Sequence, residues 1–378
     1  MSLLLDAVQD KAPVAGLTHT FYRYPARFSP SFARAAILNY TLPGDVVLDP
    51  FVGGGTTMVE AAALGRVGVG NDISSLATFL SVAKSRFYKS RELQRVRGWI
   101  GQIDLNVRRP AHSPDESEHY QRHLREPQTW RLRKIIELAL GQLEALTPRE
   151  QLLARSVLLR AGQWALDCRT EIPSLQEFRK KLSDFADEMI EGAFQLSKLS
   201  RANSRPRIPE PIVLNGSAAN LHSHSIWRSI ASPKLIVTSP PYAGVHVLYH
   251  RWQVQGRRET PAPFWIASSK DGAGASFYTF GDRHQSGLTT YFAVAKNCFQ
   301  SIAAICNTDT LLVQLVAFSR TGEHLPRYME VMENAGWAPV DEKATGVWRK
   351  VPNRKWYACL NSGSGSSDEV VLIHRLAG

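Results

Sequence analysis

Val46-Val47-Leu48-Asp49-Pro50-Phe51-Val52-Gly53-Gly54-Gly55-Thr56-Thr57 is the stretch that decides how this chain folds. Val46 to Leu48 reads as a short buried strand, with Gly44-Asp45 turning into it. A tight turn from a parallel strand into a helix needs residues without a β-carbon where backbone and ligand come close. Gly53 and Gly55 meet that need, and Thr56 or Thr57 is placed to cap the helix that follows. That helix carries Met58, Ala61, Ala62 and Leu64 and closes at Gly65. Moving outward, Val67 to Asn71 reads as a second strand, Ser74 to Phe87 as a helix capped by Ser74 or Ser75, and Phe32 to Tyr40 as a helix upstream. Strand, helix, strand, helix implies parallel strands joined by right-handed crossovers.

From residue 85 to 208 the texture changes. Strand signals vanish, and Trp130 to Leu146, Glu150 to Leu166 and Leu175 to Leu199 space apolar residues at helical intervals among charges. The stretch ends in a basic, proline-containing linker, Arg201 to Arg207. Strands then resume at Ile212 to Asn215, Leu235 to Thr238 and Thr310 to Phe318. A helix follows from Leu325 to Ala335, and a closing hairpin from Val347 to Val351 and Val370 to His374. The expected organisation is therefore an α/β domain from 1–84 and 209–378, interrupted by a helical insertion at 85–208 suited to recognition or dimerisation.

A chain of 378 residues with 44% hydrophobic residues can bury a sizeable core, and a formal charge of +11 favours polyanionic partners. Cys168, Cys298, Cys306 and Cys359 are scattered without zinc spacing, so neither a metal site nor a disulfide framework is expected. No apolar run approaches the ~20 residues that span a bilayer, and Met1 to Asp10 lacks a basic leader. The expectation is an intracellular, cytoplasmic protein.

A second motif stands at the end of another strand. Leu235-Ile236-Val237 leads into Thr238-Ser239-Pro240-Pro241-Tyr242. A Pro-Pro pair alone is common loop punctuation. Its position after a strand, downstream of the glycine turn, makes it more specific. Exocyclic amines of nucleobases are poor nucleophiles, because the lone pair is delocalised into the ring. Acceptors such as the Ser239 hydroxyl and a carbonyl held by Pro240 and Pro241 can engage the amine hydrogens, while Tyr242 offers a ring for stacking.

The two motifs together resemble the S-adenosylmethionine-dependent amino-methyltransferases of DNA, over about residues 19 to 84 and 210 to 378. The resemblance implies a doubly wound, mostly parallel seven-stranded sheet, the Rossmann-like methyltransferase fold. It implies S-adenosylmethionine as cofactor, bound around Asp49, Pro50, Phe51, Gly53, Gly55, Thr56 and Thr57, with Asp49 near the methionine end. Asp72 would accept from the ribose hydroxyls; its bland reading is a cap on the helix beginning near Ser74. Tyr24, Pro25 and Phe28, in Arg23-Tyr24-Pro25-Ala26-Arg27-Phe28, resemble the tract placed over the methionine moiety. Ser217 stands where the family carries an acid near the adenine. Ser239, Pro240, Pro241 and Tyr242 would be the catalytic tetrad. A serine in its first place points to N4 of cytosine ahead of N6 of adenine, on a base flipped out of double-stranded DNA.

After Tyr242, the residues Arg251, Trp252, Arg257 and Arg258 mix guanidinium groups with an aromatic, and are read as nucleic-acid contacts. A nicotinamide dehydrogenase fits less well, since its third fingerprint glycine would be Met58. The remaining alternatives are an RNA amine methyltransferase and a catalytically idle DNA-binding partner. Oligomeric state and a companion restriction endonuclease are left open by the letters.

Overall fold

The computed structural model describes residues 2–10, 12, 14–24, 28–108, 118–204, 206–242, 251–256, 258–269, 271, 280, 285–318, 320–340, 345–351 and 367–377. Its strands are β1 (Val46–Asp49), β2 (Val67–Asp72), β3 (Ile212–Asn215), β4 (Leu235–Thr238), β5 (Trp252–Val254), β6 (Arg258–Thr260), β7 (Leu311–Ala317), β8 (Trp337–Pro339), β9 (Trp348–Val351) and β10 (Ser367–Leu376). Its helices are α1 (Ser2–Gln9), α2 (Pro30–Tyr40), α3 (Thr56–Ala63), α4 (Ser75–Ser85), α5 (Ser90–Gln102), α6 (Trp130–Gly141), α7 (Pro148–Leu166), α8 (Leu175–Asn203), α9 (Ala262–Ala267), α10 (Gln285–Ala303) and α11 (Thr321–Asn334).

The main sheet runs β3-β2-β1-β4-β7-β10-β8, with β9 paired to β10 as an eighth strand. Neighbours from β3 to β7 are parallel, and β10 runs antiparallel to β7, β8 and β9. This is the doubly wound, mostly parallel α/β sheet that the sequence led us to expect, with one strand added at its antiparallel end.

Apolar runs without alternation are what a sheet covered on both faces requires. Val47, Leu235, Val237 and Val313 face a core shared with Leu4, Phe32 and Ile37 of α1 and α2. Leu48, Ile236, Leu312 and Val316 face the opposite core, with Phe299 of α10 and Tyr328 of α11. The α8 helix starts at a Ser174/Glu177 capping box, two polar residues that satisfy each other's backbone N–H groups. No helix among the described residues is long and apolar enough to cross a membrane.

The helices α5 to α8 pack in one core with Phe21, Tyr22 and Tyr24, with Leu76 and Leu80 of α4, and with Trp252 and Phe264. The packing therefore does not break at residue 85. Two glycines set how closely α8 approaches. A β-carbon on Gly192 would lie 2.0 Å from the Leu17 carbonyl oxygen, and one on Gly65 would lie 2.2 Å from that of Asn203. The basic linker is also shorter than expected, because α8 continues through Asn203.

Candidate active site

Parallel β3, β2, β1 and β4 put Asn215, Asp72, Asp49 and Thr238 at the same edge of the sheet. The chain leaves β1 for β2 and β3 on one side and returns to β4 on the other. Such a reversal opens a crevice at the carboxyl ends of the strands, where doubly wound proteins bind ligands.

Asp49 ties the two strand ends together. It is buried, and its Oδ1 accepts from Thr238 Oγ1 at 2.7 Å and from the Phe51 N–H at 3.2 Å. Its Oδ2 accepts from Thr57 Oγ1 at 2.7 Å, and that hydroxyl also lies 3.1 Å from the Val237 carbonyl. Burial pushes the Asp49 carboxyl up to about 6, against the opposing pull of the Thr238, Thr57 and Phe51 hydrogen bonds. The residue before the tetrad, Thr238, is thus bonded directly to the last residue of the first strand.

The glycine turn takes its shape from left-handed backbone at Gly53 (φ 45°) and Gly55 (φ 77°). Gly55 itself occupies the N-cap of α3, so neither threonine caps that helix as expected; Thr57 spends its hydroxyl on Asp49 instead. Thr56, first residue of α3, is buried. Tyr24 lies against the turn, where a β-carbon on Gly54 would stand 2.9 Å from Tyr24 Cβ. Pro25 lies outside the described residues. Phe28, of the same tract, packs edge-on to Phe32, with centroids 5.6 Å apart, in the core beneath α2. Pro50 is buried, and Phe51 makes edge contacts with Phe280 at 5.4 Å and Phe299 at 6.3 Å.

Asp72 holds the turn from the other side. Its Oδ2 accepts from the Gly53 N–H at 2.8 Å and its Oδ1 from the Ser74 N–H at 2.9 Å. Burial raises this carboxyl too, to about 6, although both N–H bonds pull it down. The capping of α4 belongs to Ser74, whose hydroxyl accepts from Ala77 N. Ser217 accepts from the Ala219 N–H at 3.3 Å and so caps a short 3-10 turn.

In the tetrad, Ser239 Oγ lies 2.8 Å from the Tyr242 hydroxyl, which donates to Glu369 Oε1 at 2.8 Å. The Pro241 carbonyl accepts from the Tyr291 hydroxyl at 2.7 Å. Pro240 is buried, Ser239 half-buried, and Tyr242 only 7% exposed. Tyr242 is thus anchored by its hydroxyl as well as offering a ring.

Among the residues expected to meet nucleic acid, Trp252 needs correction. It is 1% exposed, packs where a β-carbon on Gly162 of α7 would stand 2.8 Å from its ring, and donates its indole N–H to Tyr22 at 2.9 Å. Bulk and apolarity made it a core residue. Arg251 and Arg258 reach the surface, in ion pairs with Glu259 and Glu126. Arg257 lies outside the described residues.

Several residues at this edge escaped sequence reasoning. Asn71, buried at the end of β2, donates to the Pro50 carbonyl at 3.3 Å and the Gly216 carbonyl at 3.0 Å. Buried Lys84 donates to the Gly54 carbonyl at 2.7 Å. Its signal was present: Leu76, Leu80 and Lys84 recur every fourth residue, which puts a charge on an apolar stripe. Glu369 is the buried member of the Asp368-Glu369 pair that precedes the apolar run Val370 to Ile373, and nothing local in the sequence marks it out.

Residues 8–83 match the model of the N6/N4 methyltransferase family, described as DNA methylase. The type II methyltransferase M.MjaII of Methanocaldococcus jannaschii is 28% identical over 78 residues, covering 21% of this chain and 15% of that protein. The type II methyltransferase M.MvaI of Kocuria varians is 33% identical over 95 residues, covering 24% of this chain and 20% of that protein. Over that span the chain is similar to the DNA amino-methyltransferases. The similarity spans no more than a fifth of those curated relatives. Among solved structures, the rRNA methyltransferase aviRa from Streptomyces viridochromogenes superposes with a TM-score of 0.37 at 10% identity, over 97% of this chain and 89% of that one. The family match takes in Tyr24, the glycine turn and Asp72, and ends before the tetrad.

Proposed function

We propose that this protein transfers a methyl group from S-adenosylmethionine to an exocyclic amine of double-stranded DNA, N4 of cytosine in a short recognised sequence. The observation that carries the reading is the bond from Thr238 to Asp49, which sets the tetrad beside the glycine turn. The donor set fits the cofactor. Asp72 accepts backbone N–H bonds from Gly53, Ser74 and Ile73, and the four lone pairs of a carboxylate leave room for a ribose hydroxyl. Asp49, raised to about 6 by burial, is a carboxylate that a nearby cation would favour. Tyr24 covers the turn where the methionine end would lie. Bound there, S-adenosylmethionine supplies a methyl group on a cationic sulfur, open to in-line displacement.

The chain's own residues deal with the base. Ser239 Oγ and the Pro240 carbonyl accept the amine hydrogens, which returns the lone pair from the ring to the nitrogen. The two prolines stiffen the backbone that holds these acceptors. Tyr242 stacks on the extruded base with its ring plane fixed through its hydroxyl.

The experiment is nucleoside mass spectrometry of polymerase-amplified DNA after incubation with protein and cofactor. N4-methylcytosine is the expected product. N6-methyladenine would move the assignment to adenine, and label in RNA with DNA untouched would overturn the substrate class. Ser239→Ala should lower turnover by roughly a hundredfold or more while cofactor affinity stays. Normal turnover in that variant would remove the tetrad from the chemistry.

A further inference from the structure

A serine hydroxyl is ambivalent: it donates one hydrogen and accepts through two lone pairs. To draw electron density onto a base amine, Ser239 has to accept, and something must decide where its own hydrogen goes. The far end of the tetrad carries the answer. Glu369 on β10 is fully buried, and its Oε2 is ion-paired to Arg349 of β9, whose Nε and Nη2 lie 2.7 and 2.6 Å away. An ionised carboxylate has no hydrogen to give. The contact at 2.8 Å between Glu369 Oε1 and Tyr242 therefore takes the single phenolic hydrogen. With that hydrogen spent, the 2.8 Å contact between Tyr242 and Ser239 has one polarity left: Ser239 donates and Tyr242 accepts. Both lone pairs of the Ser239 hydroxyl are then clear of that contact, on a side chain only half-buried at the edge of the crevice.

We infer that Glu369, held by Arg349, is a positioning residue for methyl transfer: through Tyr242 it fixes Ser239 as a hydrogen-bond acceptor toward the base amine. The inference rests on the proposed role of the tetrad and adds to it a buried ion pair on the antiparallel strands. It also separates two functions of Tyr242, the ring that meets the base and the hydroxyl that directs Ser239. A chain of this kind is stiff and mutually polarised, because each member fixes the donor sense of the next.

The test uses Tyr242→Phe, which keeps the ring, along with Glu369→Gln and the two combined. Each protein is assayed on polymerase-amplified DNA for kcat and for KM, with melting temperature and cofactor dissociation constant measured separately. Each single variant should lose roughly ten- to a hundredfold in kcat, the scale of one hydrogen bond to a charged group. KM for DNA and the cofactor dissociation constant should hold. The double variant should be no slower than the slower single one, since both changes cut the same chain. Unchanged kcat in Tyr242→Phe would overturn the inference, as would a double loss equal to the product of the singles. Should Glu369→Gln fail to fold, Tyr242→Phe decides by its kcat-against-KM split alone. A slow Ser239→Ala beside fully active Tyr242→Phe and Glu369→Gln sinks this inference only, whereas a fully active Ser239→Ala sinks the reading beneath it.

Discussion

At the scale of single residues, two carboxylates, Asp49 buried and Asp72 partly so, set the behaviour of the crevice. Asp49 and Asp72 are both raised to about 6 by burial, so both begin to take up protons just below neutral pH. The ionised forms are the ones that favour a cation and accept from a ribose. Cofactor affinity should therefore be flat above pH 7 and fall as pH drops through about 6, approaching tenfold per pH unit for each carboxylate linked to binding. Calorimetry between pH 5.5 and 8, in two buffers of different ionisation enthalpy, would show the linked proton release. A pH-independent dissociation constant would remove both acids from the cofactor site. Asp72→Ala should weaken cofactor binding at pH 7.5, and an unchanged constant would leave it only as the brace for Gly53. The glycines and these acids were legible in the sequence because their spacing from the strands is local. The burial of Trp252 was not, since an aromatic beside arginines reads the same whether it stacks on a base or fills a core.

At the scale of elements, local signals located most strands and helices, while context decided their ends. β3 and β4 fall where the apolar runs place them, Ile212–Asn215 and Leu235–Thr238. The helix expected from Leu325 begins at Thr321, where the Glu323 and His324 N–H groups bond to the Arg320 carbonyl, and it carries Pro326 inside it. The hairpin of β5 and β6 went unread: its turn uses left-handed Gln255 (φ 46°) and Gly256 (φ 102°), and its strands are three residues each. Helix packing offers a paired prediction. Gly192→Ala would drive a β-carbon into the Leu17 carbonyl and should destabilise the fold by about 1–3 kcal/mol. Gly98→Ala sits inside α5 with nothing near its β-carbon, and should stabilise by up to about 1 kcal/mol. Thermal melts of both variants check the pair; equal shifts would contradict the described contact between α8 and the Leu17 carbonyl.

At the scale of the whole molecule, a formal charge of +11 is the term that would draw a polyanion such as the proposed DNA substrate from a distance. Binding to duplex DNA should weaken with salt, at a log–log slope of roughly −0.9 for every phosphate neutralised. Arg258 is exposed and paired with Glu126 at the surface, and such a pair is worth only about 0–1 kcal/mol, so exchange for a phosphate is cheap. Arg258→Gln should make the slope shallower by about 1, measured by fluorescence anisotropy between 50 and 300 mM salt. An unchanged slope would take Arg258 off the DNA path. Charge and fold class could be read from composition and periodicity, whereas the shared core of α5 to α8 with Tyr22 and Trp252 depends on contacts between distant parts of the chain. That shared core has a practical corollary. Tyr242 is moored through its hydroxyl to Glu369, and Trp252 is wedged against α7 with its indole on Tyr22. Each anchor ties residues far apart in the chain, so a change at Glu369 or at Tyr22 would be felt at an aromatic side chain more than a hundred positions away.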